Sequence, residues 1–260
     1  MTVLVTGATG RLGRVLTPLL ARAGHPVRAM SRTSREDHAV DWVRADLATG
    51  DGLAAALDGI DTVVHLASAP YQRSYTRRVD VDGTRRLVEA ATTAGVRHLV
   101  YVSIVGIDRV PLSYYRAKLE AEAVVAAGPV PWTVLRVTQF HDLLDEALTA
   151  LARLPVLVVD PRITGQPVDV HDVATHLADR LSAPPGRTIE EFGGPEVLDL
   201  EDVARRWQTA RGIRRPLLRI PVPGRLGRTC RDGALTTASG ARGGISWSDY
   251  LSRNRSRAAP

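Results

Sequence analysis

The sequence predicts an α/β chain organised on a doubly wound parallel sheet, with a small lobe on its C-terminal side. Short β-rich runs alternate with helical stretches through the first half, the order that a parallel sheet with crossover helices requires. A strand, a tight glycine turn and an amphipathic helix come first, in Val3-Leu4-Val5-Thr6, in Gly7-Ala8-Thr9-Gly10-Arg11-Leu12-Gly13 and in the residues behind them. Beyond residue 138 the alternation stops, and Pro155, Pro161, Pro167, Pro184, Pro185, Pro195, Pro216, Pro221 and Pro223 cut the chain into short pieces.

Candidate strands, in order, are residues 2–6, 26–30, 40–45, 62–66, 98–103 and 132–137; apolar residues recur at helical spacing over 12–23, 53–57, 83–94 and 114–127. Gly24, Gly59, Gly95 and Gly128 stand where those helices should stop, each read as a left-handed C-cap. In the lobe, helices are expected over 172–181 and 200–211, and extended pieces over 167–170, 188–192 and 217–220. The result is a Rossmann core over 1–137, a mixed substrate lobe with elements returning to the core over 138–251, and a flexible tail over 252–260, where Arg, Ser, Asn and Ala show no burial pattern.

With 260 residues, 44% apolar and 24% charged, the chain can bury one large core and lacks the low-hydrophobicity, high-charge signature of disorder. No run approaches the roughly 18 apolar residues of a membrane span. Met1-Thr2-Val3-Leu4-Val5 leaves no room for a signal peptide, and the single cysteine, Cys230, makes no intrachain disulfide, so a cytoplasmic protein that avoids the membrane is expected. Residues 201–260 carry 13 Arg against 4 acidic residues, which puts +9 there and −3 on the remainder of a chain of net charge +6. Without aromatic interleaving or a nucleic-acid motif, this reads as a solvated arginine-rich face and not as a DNA or RNA surface. Lys118 is the only lysine among 34 basic residues. Where arginine serves for nearly every cation, one retained ammonium marks a task that a guanidinium cannot do.

The three glycines let the main chain approach a pyrophosphate, whose charge is held by N–H groups and the helix dipole. Thr6, Gly7, Thr9, Gly10, Arg11, Leu12 and Gly13 are therefore assigned to a dinucleotide. An NAD-selective site places Asp or Glu at the end of the second strand, about 20 residues past the turn. This chain has Ser31-Arg32 there. A cation in that place suits a 2′-phosphate, with Arg35 in support, so NADP(H) is the expected cofactor. Asp46-Leu47 after the third strand is assigned to the adenine side, and Ala67-Ser68-Ala69 after the fourth to the other flank.

Tyr114-Tyr115-Arg116-Ala117-Lys118 sets a tyrosine one helical turn before the lone lysine. A nearby ammonium favours phenolate and draws tyrosine down from its reference pKa of about 10. Ser103 ends the preceding strand at the edge where such sheets bind ligands. Ser103 is expected to orient a substrate carbonyl, Tyr114 to give the proton, and Lys118 to tune it and hold the nicotinamide ribose. Tyr115, three residues before Lys118, stays open as the acid. Gln139, Phe140, His141 and Gln166 join Tyr115 as substrate-pocket candidates; His141 is read as a second acid/base or, more commonly, as a histidine bonded to backbone. Asp172 suits the N-cap of the following helix, which argues against metal at His171-Asp172, and no metal is expected. His65, His98, Asp80 and Asp82 are read as structural.

Together with Val102-Ser103-Ile104-Val105-Gly106-Ile107, Leu135-Arg136-Val137-Thr138-Gln139-Phe140-His141, Gln166-Pro167-Val168-Asp169-Val170, Gly193-Gly194-Pro195-Glu196 and residues 244–251, these segments resemble the atypical short-chain dehydrogenase/reductases of the NmrA-like, NAD(P)H-binding group over nearly the whole chain. The resemblance implies a seven-stranded or similar parallel sheet, a nicotinamide cofactor, and a pocket where a small-molecule carbonyl or quinone is reduced by NADPH. Members also include redox-sensing regulators that bind the dinucleotide without turnover, and epimerisation uses the same residues. The tyrosine and lysine match the reductase pattern, whereas the separation of 11 from Ser103 to Tyr114 is shorter than the usual dehydrogenase spacing. A monomer or homodimer is expected.

Overall fold

The computed structural model describes residues 1–35, 40–70, 72, 74–238 and 240–254. In chain order the elements are β1 Val3–Thr6, α1 Arg11–Arg22, β2 Val27–Ser31, β3 Asp41–Arg44, α2 Leu53–Leu57, β4 Thr62–His65, α3 Ser74–Thr76 running into a π-helical segment Arg77–Asp82, α4 Gly83–Thr93, β5 His98–Ile104, α5 Ser113–Ala127, β6 Trp132–Val137, α6 His141–Leu151, β7 Leu157–Val159, β8 Thr164–Gly165, α7 Val170–Leu181, β9 Thr188–Gly193, β10 Leu198–Asp199, α8 Leu200–Arg211, β11 Leu217–Arg219, α9 Gly224–Arg231, β12 Ala241–Arg242 and α10 Trp247–Arg253.

Every residue of β1 and of β4 is buried, as expected of central parallel strands covered on both faces. The main sheet runs β12-β9-β6-β5-β4-β1-β2-β3, eight strands where about seven were implied; the two-residue β12 extends one edge. The β3-β2-β1-β4-β5 ladders are all parallel. From β1 the chain moves outward through β2 and β3, then returns to β4 on the other side of β1. This reversal opens a crevice at the carboxyl ends of β1 and β4, where open α/β sheets bind ligands.

The chain divides into two compact units, one of residues 1–103, 112–136 and 174–190, the other of 104–111, 137–173 and 191–260. Leu4, Leu57, Val63, Leu87, Leu99 and Val134 are fully or almost fully buried at the heart of the first. The second packs Leu157, Trp207, Trp247 and Leu251. There Asp145 accepts from Trp207 Nε1 at 2.6 Å and from the buried Arg211 at 2.6 Å.

Four expectations are corrected. Gly24, Gly59 and Gly95 have positive φ, but Gly128 ends α5 at φ −71°, ψ 154°; Pro129 follows it, and a residue before proline is pushed to extended backbone. Asp172 does not cap α7. The helix begins at Val170, and Asp169 before it accepts the His171 N–H at 2.8 Å, while Asp172 accepts from Ile245 N at 2.8 Å. The extended piece at 167–170 reduces to one bridge between Val168 and Phe140. Ser252 and Arg253 of the expected tail belong to α10, and residues 255–260 lie outside the described residues.

Candidate active site

The site is built at the end of β1, in the first unit. Gly7 has φ +66°, and a Cβ on it would lie 2.6 Å from Ala67 N; one on Gly13 would lie 2.3 Å from Gly7 O. Glycine is thus required twice, once so that the turn meets the β4 loop and once so that α1 meets the turn. The N-cap of α1 is Gly10, which has no side chain to turn back on the helix, and no acid occupies the first turn. That N-terminus keeps its positive end for an anion.

A cavity of about 210 Å³ opens beside the turn, lined by Gly7, Thr9, Gly10, Ser31, Arg32, Asp46, Leu47, Ala67, Ser68, Ala69, Gln72 and Tyr75 among others. Nine of the expected cofactor residues therefore face one space. Arg32 donates to the Tyr75 hydroxyl at 2.8 Å. Arg35 instead lies over the Trp42 ring, 5.4 Å from its centroid. Thr6, Leu12 and Gly13 are buried behind the cavity, and Arg11 is exposed. The glycine cradle, the uncapped helix and the cation at the end of β2 fit a dinucleotide, with Arg32 suited to a 2′-phosphate.

Behind the turn, His65 is fully buried between two hydroxyls, Thr6 Oγ1 at 2.7 Å from Nδ1 and Thr84 Oγ1 at 2.9 Å from Nε2. The Thr84 hydroxyl donates to the Asp80 carbonyl at 2.6 Å, so it must accept from Nε2–H. Nδ1 is then an acceptor for Thr6, whose oxygen takes the Leu66 and Ala67 N–H groups. Burial pushes the imidazole down to about 3, and the nearby Lys118 adds to that, so the ring is neutral.

Lys118, 4% exposed, donates to the Val102 carbonyl at 2.7 Å and stands 4.1 Å above the Tyr101 ring. Burial pushes its ammonium down to about 8, against the raising pull of Asp80 and Glu122. Glu122 is itself forked by Arg136 at 2.7 and 3.0 Å. Tyr101 stays a phenol, because burial raises its pKa well above the ordinary value. Tyr114 is half-buried and its hydroxyl lies 2.8 Å from Ser68 Oγ; Tyr115 is buried, its ring edge-on to Tyr114. Ser103 is 3% exposed, and its hydroxyl has no partner among the described residues.

Sequence reasoning set Asp80 aside as structural. Its carboxylate accepts from Ser68 Oγ at 2.5 Å and from Ala69 N at 2.9 Å, inside the π-helical segment. Asp80 sits between Val79 and Val81, and those apolar flanks were the available sign of burial. Tyr75 and Gln72 carried no signal of their own. The remaining pocket candidates belong to the second unit. His141 is 1% exposed, its ring 5.5 Å from Trp247 and 5.1 Å from Tyr250. Gln166 is fully buried and spends its amide on Gly194 O and Thr237 N.

A glycine turn at a sheet's switch point, beside a lined cavity, defines a dinucleotide-binding α/β protein. A family model described as NAD(P)H-binding matches residues 7–184, and the chain belongs to that family. A photosystem II assembly factor of Trieres chinensis is 29% identical over 195 residues, 71% of this chain and 60% of that protein. The chloroplastic divinyl chlorophyllide a 8-vinyl-reductase of Oryza sativa subsp. indica is 31% identical over 220 residues, 75% of this chain and 54% of that protein. The chain thus spans less than two thirds of the length of these relatives. An NADPH-dependent quinone oxidoreductase of Escherichia coli, complexed with NADPH, shares the fold at a TM-score of 0.80 and 18% identity, over 96% of this chain and 99% of that one. Among the described residues, no helix is long and apolar enough to cross a membrane.

Proposed function

We propose that this chain is an oxidoreductase that uses NADPH to reduce a small-molecule carbonyl or quinone, with Tyr114 as proton donor, Lys118 tuning it and Ser103 orienting the substrate oxygen. The observation that carries this reading is the bond from Tyr114 to Ser68, a residue of the dinucleotide cavity, with the buried ammonium of Lys118 one turn further along α5. The names of a vinyl-reductase and a quinone oxidoreductase among the similar proteins support a reducing direction.

When bound, the reduced nicotinamide supplies hydride. Tyr114, half-buried where Tyr115 is closed in, gives its proton to the substrate oxygen. The Lys118 ammonium stabilises the phenolate that remains. Ser103 offers its unengaged hydroxyl to the same oxygen. Arg32 selects the phosphorylated cofactor.

The test is NADPH oxidation against a panel of quinones, ketones and aldehydes, with the unmodified chain and with Tyr114→Phe. Turnover that falls by about 100-fold or more in the variant is expected for loss of a general acid. Turnover that survives moves the proton to Tyr115 or to none, as for a quinone that needs only hydride. Tight NADPH binding with no compound reduced favours a redox sensor.

A further inference from the structure

Ser68 stands between two partners, Asp80 Oδ1 at 2.5 Å and the Tyr114 hydroxyl at 2.8 Å. A serine hydroxyl has one hydrogen, and a carboxylate can only accept. Ser68 therefore donates to Asp80, and the bond to Tyr114 must run the other way, from the phenol to Ser68.

We propose that Asp80 is a positioning residue for Tyr114: by taking the single hydrogen of Ser68 it makes Tyr114 the donor to Ser68, and so keeps Tyr114 in the protonated form that a proton donor needs. The significance of this role rests on the reading of Tyr114 as the acid. Asp80 is 1% exposed and cannot drift, since Ala69 N–H holds Oδ2 at 2.9 Å and the Thr84 hydroxyl, backed by His65, holds its carbonyl at 2.6 Å. Tyr115 on α5 stands edge-on to Tyr114, Tyr101 on β5 is electrostatically coupled to it, Asp80 reaches it through Ser68 from the π-helical segment, and Lys118 follows one helical turn along α5. Lys118 favours phenolate and Asp80 opposes it. A phenolate at Tyr114 can take a hydrogen bond from Ser68 only if Asp80 gives up the hydrogen it holds, and a short bond to a carboxylate is the costly one to break. The same buried carboxylate supplies part of the counter-charge that keeps Lys118 protonated. Two opposed charges on one phenol load the acid at neutral pH while leaving it able to discharge.

The experiment is a pH titration of tyrosinate absorbance in the unmodified chain, in Asp80→Asn and in Ser68→Ala, each taken as the difference from the same protein carrying Tyr114→Phe in addition. No cofactor or substrate enters, so the result is independent of whether the chain turns over NADPH. In Asp80→Asn the side-chain amide can donate to Ser68, which turns the Ser68 hydrogen toward Tyr114; Tyr114 then ionises at a pH lower by about one unit. Ser68→Ala removes the acceptor that stabilises the phenol and moves the titration the same way. An unmoved or higher Tyr114 titration in Ser68→Ala overturns the proposal, because a rise is the sign expected if Ser68 were the donor. An unmoved titration in a folded Asp80→Asn overturns it too, leaving Asp80 as a brace for its turn. Should Asp80→Asn not fold, Ser68→Ala decides alone.

Discussion

His65 Nδ1 lies 2.7 Å from Thr6 Oγ1, which joins the last residue of β4 to the last residue of β1, directly beneath the glycine turn. The pair holds together the two strand ends that frame the crevice, and it works only with a neutral ring, because a protonated Nδ1 cannot accept from Thr6.

Acid sensitivity follows from that pair. The folded value of His65, about 3, lies below its ordinary 6.5, so between those limits the unfolded chain binds a proton that the native one refuses. Stability from this site is complete above the ordinary value and is lost as pH falls toward the folded one. Between about pH 8 and about pH 5 the loss is about 2 kcal/mol. Urea unfolding at both pH values should show His65→Gln with an acid loss smaller by that amount; an equal loss in both proteins would place the acid sensitivity elsewhere.

Gly7 and Gly24 both have positive φ, yet only Gly7 has a backbone neighbour in the way. Gly24→Ala meets nothing within 4 Å and should cost only the left-handed strain, about 1–2 kcal/mol, with dinucleotide affinity unchanged. Gly7→Ala adds an overlap with Ala67 that neither strand end can relieve, and should both destabilise further and abolish dinucleotide binding. Thermal unfolding with and without NADPH separates the two. A Gly7→Ala protein that still gains stability from NADPH would contradict the cradle.

Arg32 is the one cation on the described cavity wall. Its loss in Arg32→Ala should weaken NADPH by about 10- to 100-fold, the worth of a charge-assisted bond, and leave NADH nearly untouched. Tyr75→Phe, which frees Arg32 from its 2.8 Å partner, should change NADPH affinity far less. Calorimetric titration with both dinucleotides decides it, and an equal loss for NADH would mean that Arg32 does not read the phosphate.

Most of the first unit was legible because its signals are local. The six strands of the first half and the glycine turn lie within a residue or two of where alternation and helical spacing put them, and Trp132–Val137 lies where expected to the residue. The second unit was harder to read, since two- and three-residue strands such as Thr164–Gly165 and Leu217–Arg219 are too short to show a period. Of the described helices of the second unit, Gly224–Arg231, His141–Leu151 and Trp247–Arg253 were missed, the last two although they carried signals: His141–Leu151 has Asp142 in its first turn, and Trp247–Arg253 opens on the Ser246 and Asp249 capping box. Of the proposed site, Tyr114 and Lys118 were suggested by their spacing and Ser103 by its place near the end of a strand. The link from Asp80 to Tyr114 could not, because it is made by a serine whose hydrogen is assigned only once three elements are placed together.

Lys118 should be a residue the fold would be more stable without. Its folded value, about 8, lies below the ordinary 10.5, so at neutral pH the native state carries a charged group that burial penalises, and the penalty fades as pH rises through the interval between the two values. Lys118→Met buries a chain of similar length with no charge. Relative to the unmodified protein it should gain about 2–3 kcal/mol more at about pH 7 than at about pH 10. Any NADPH turnover should fall in the same variant, since a buried charge that costs stability is retained for what it does to Tyr114. Unfolding curves at the two pH values test the first half. A stability difference that does not change with pH would mean that Lys118 is not the buried, partly neutralised ammonium described here, and its role as the tuner of Tyr114 would fall with it.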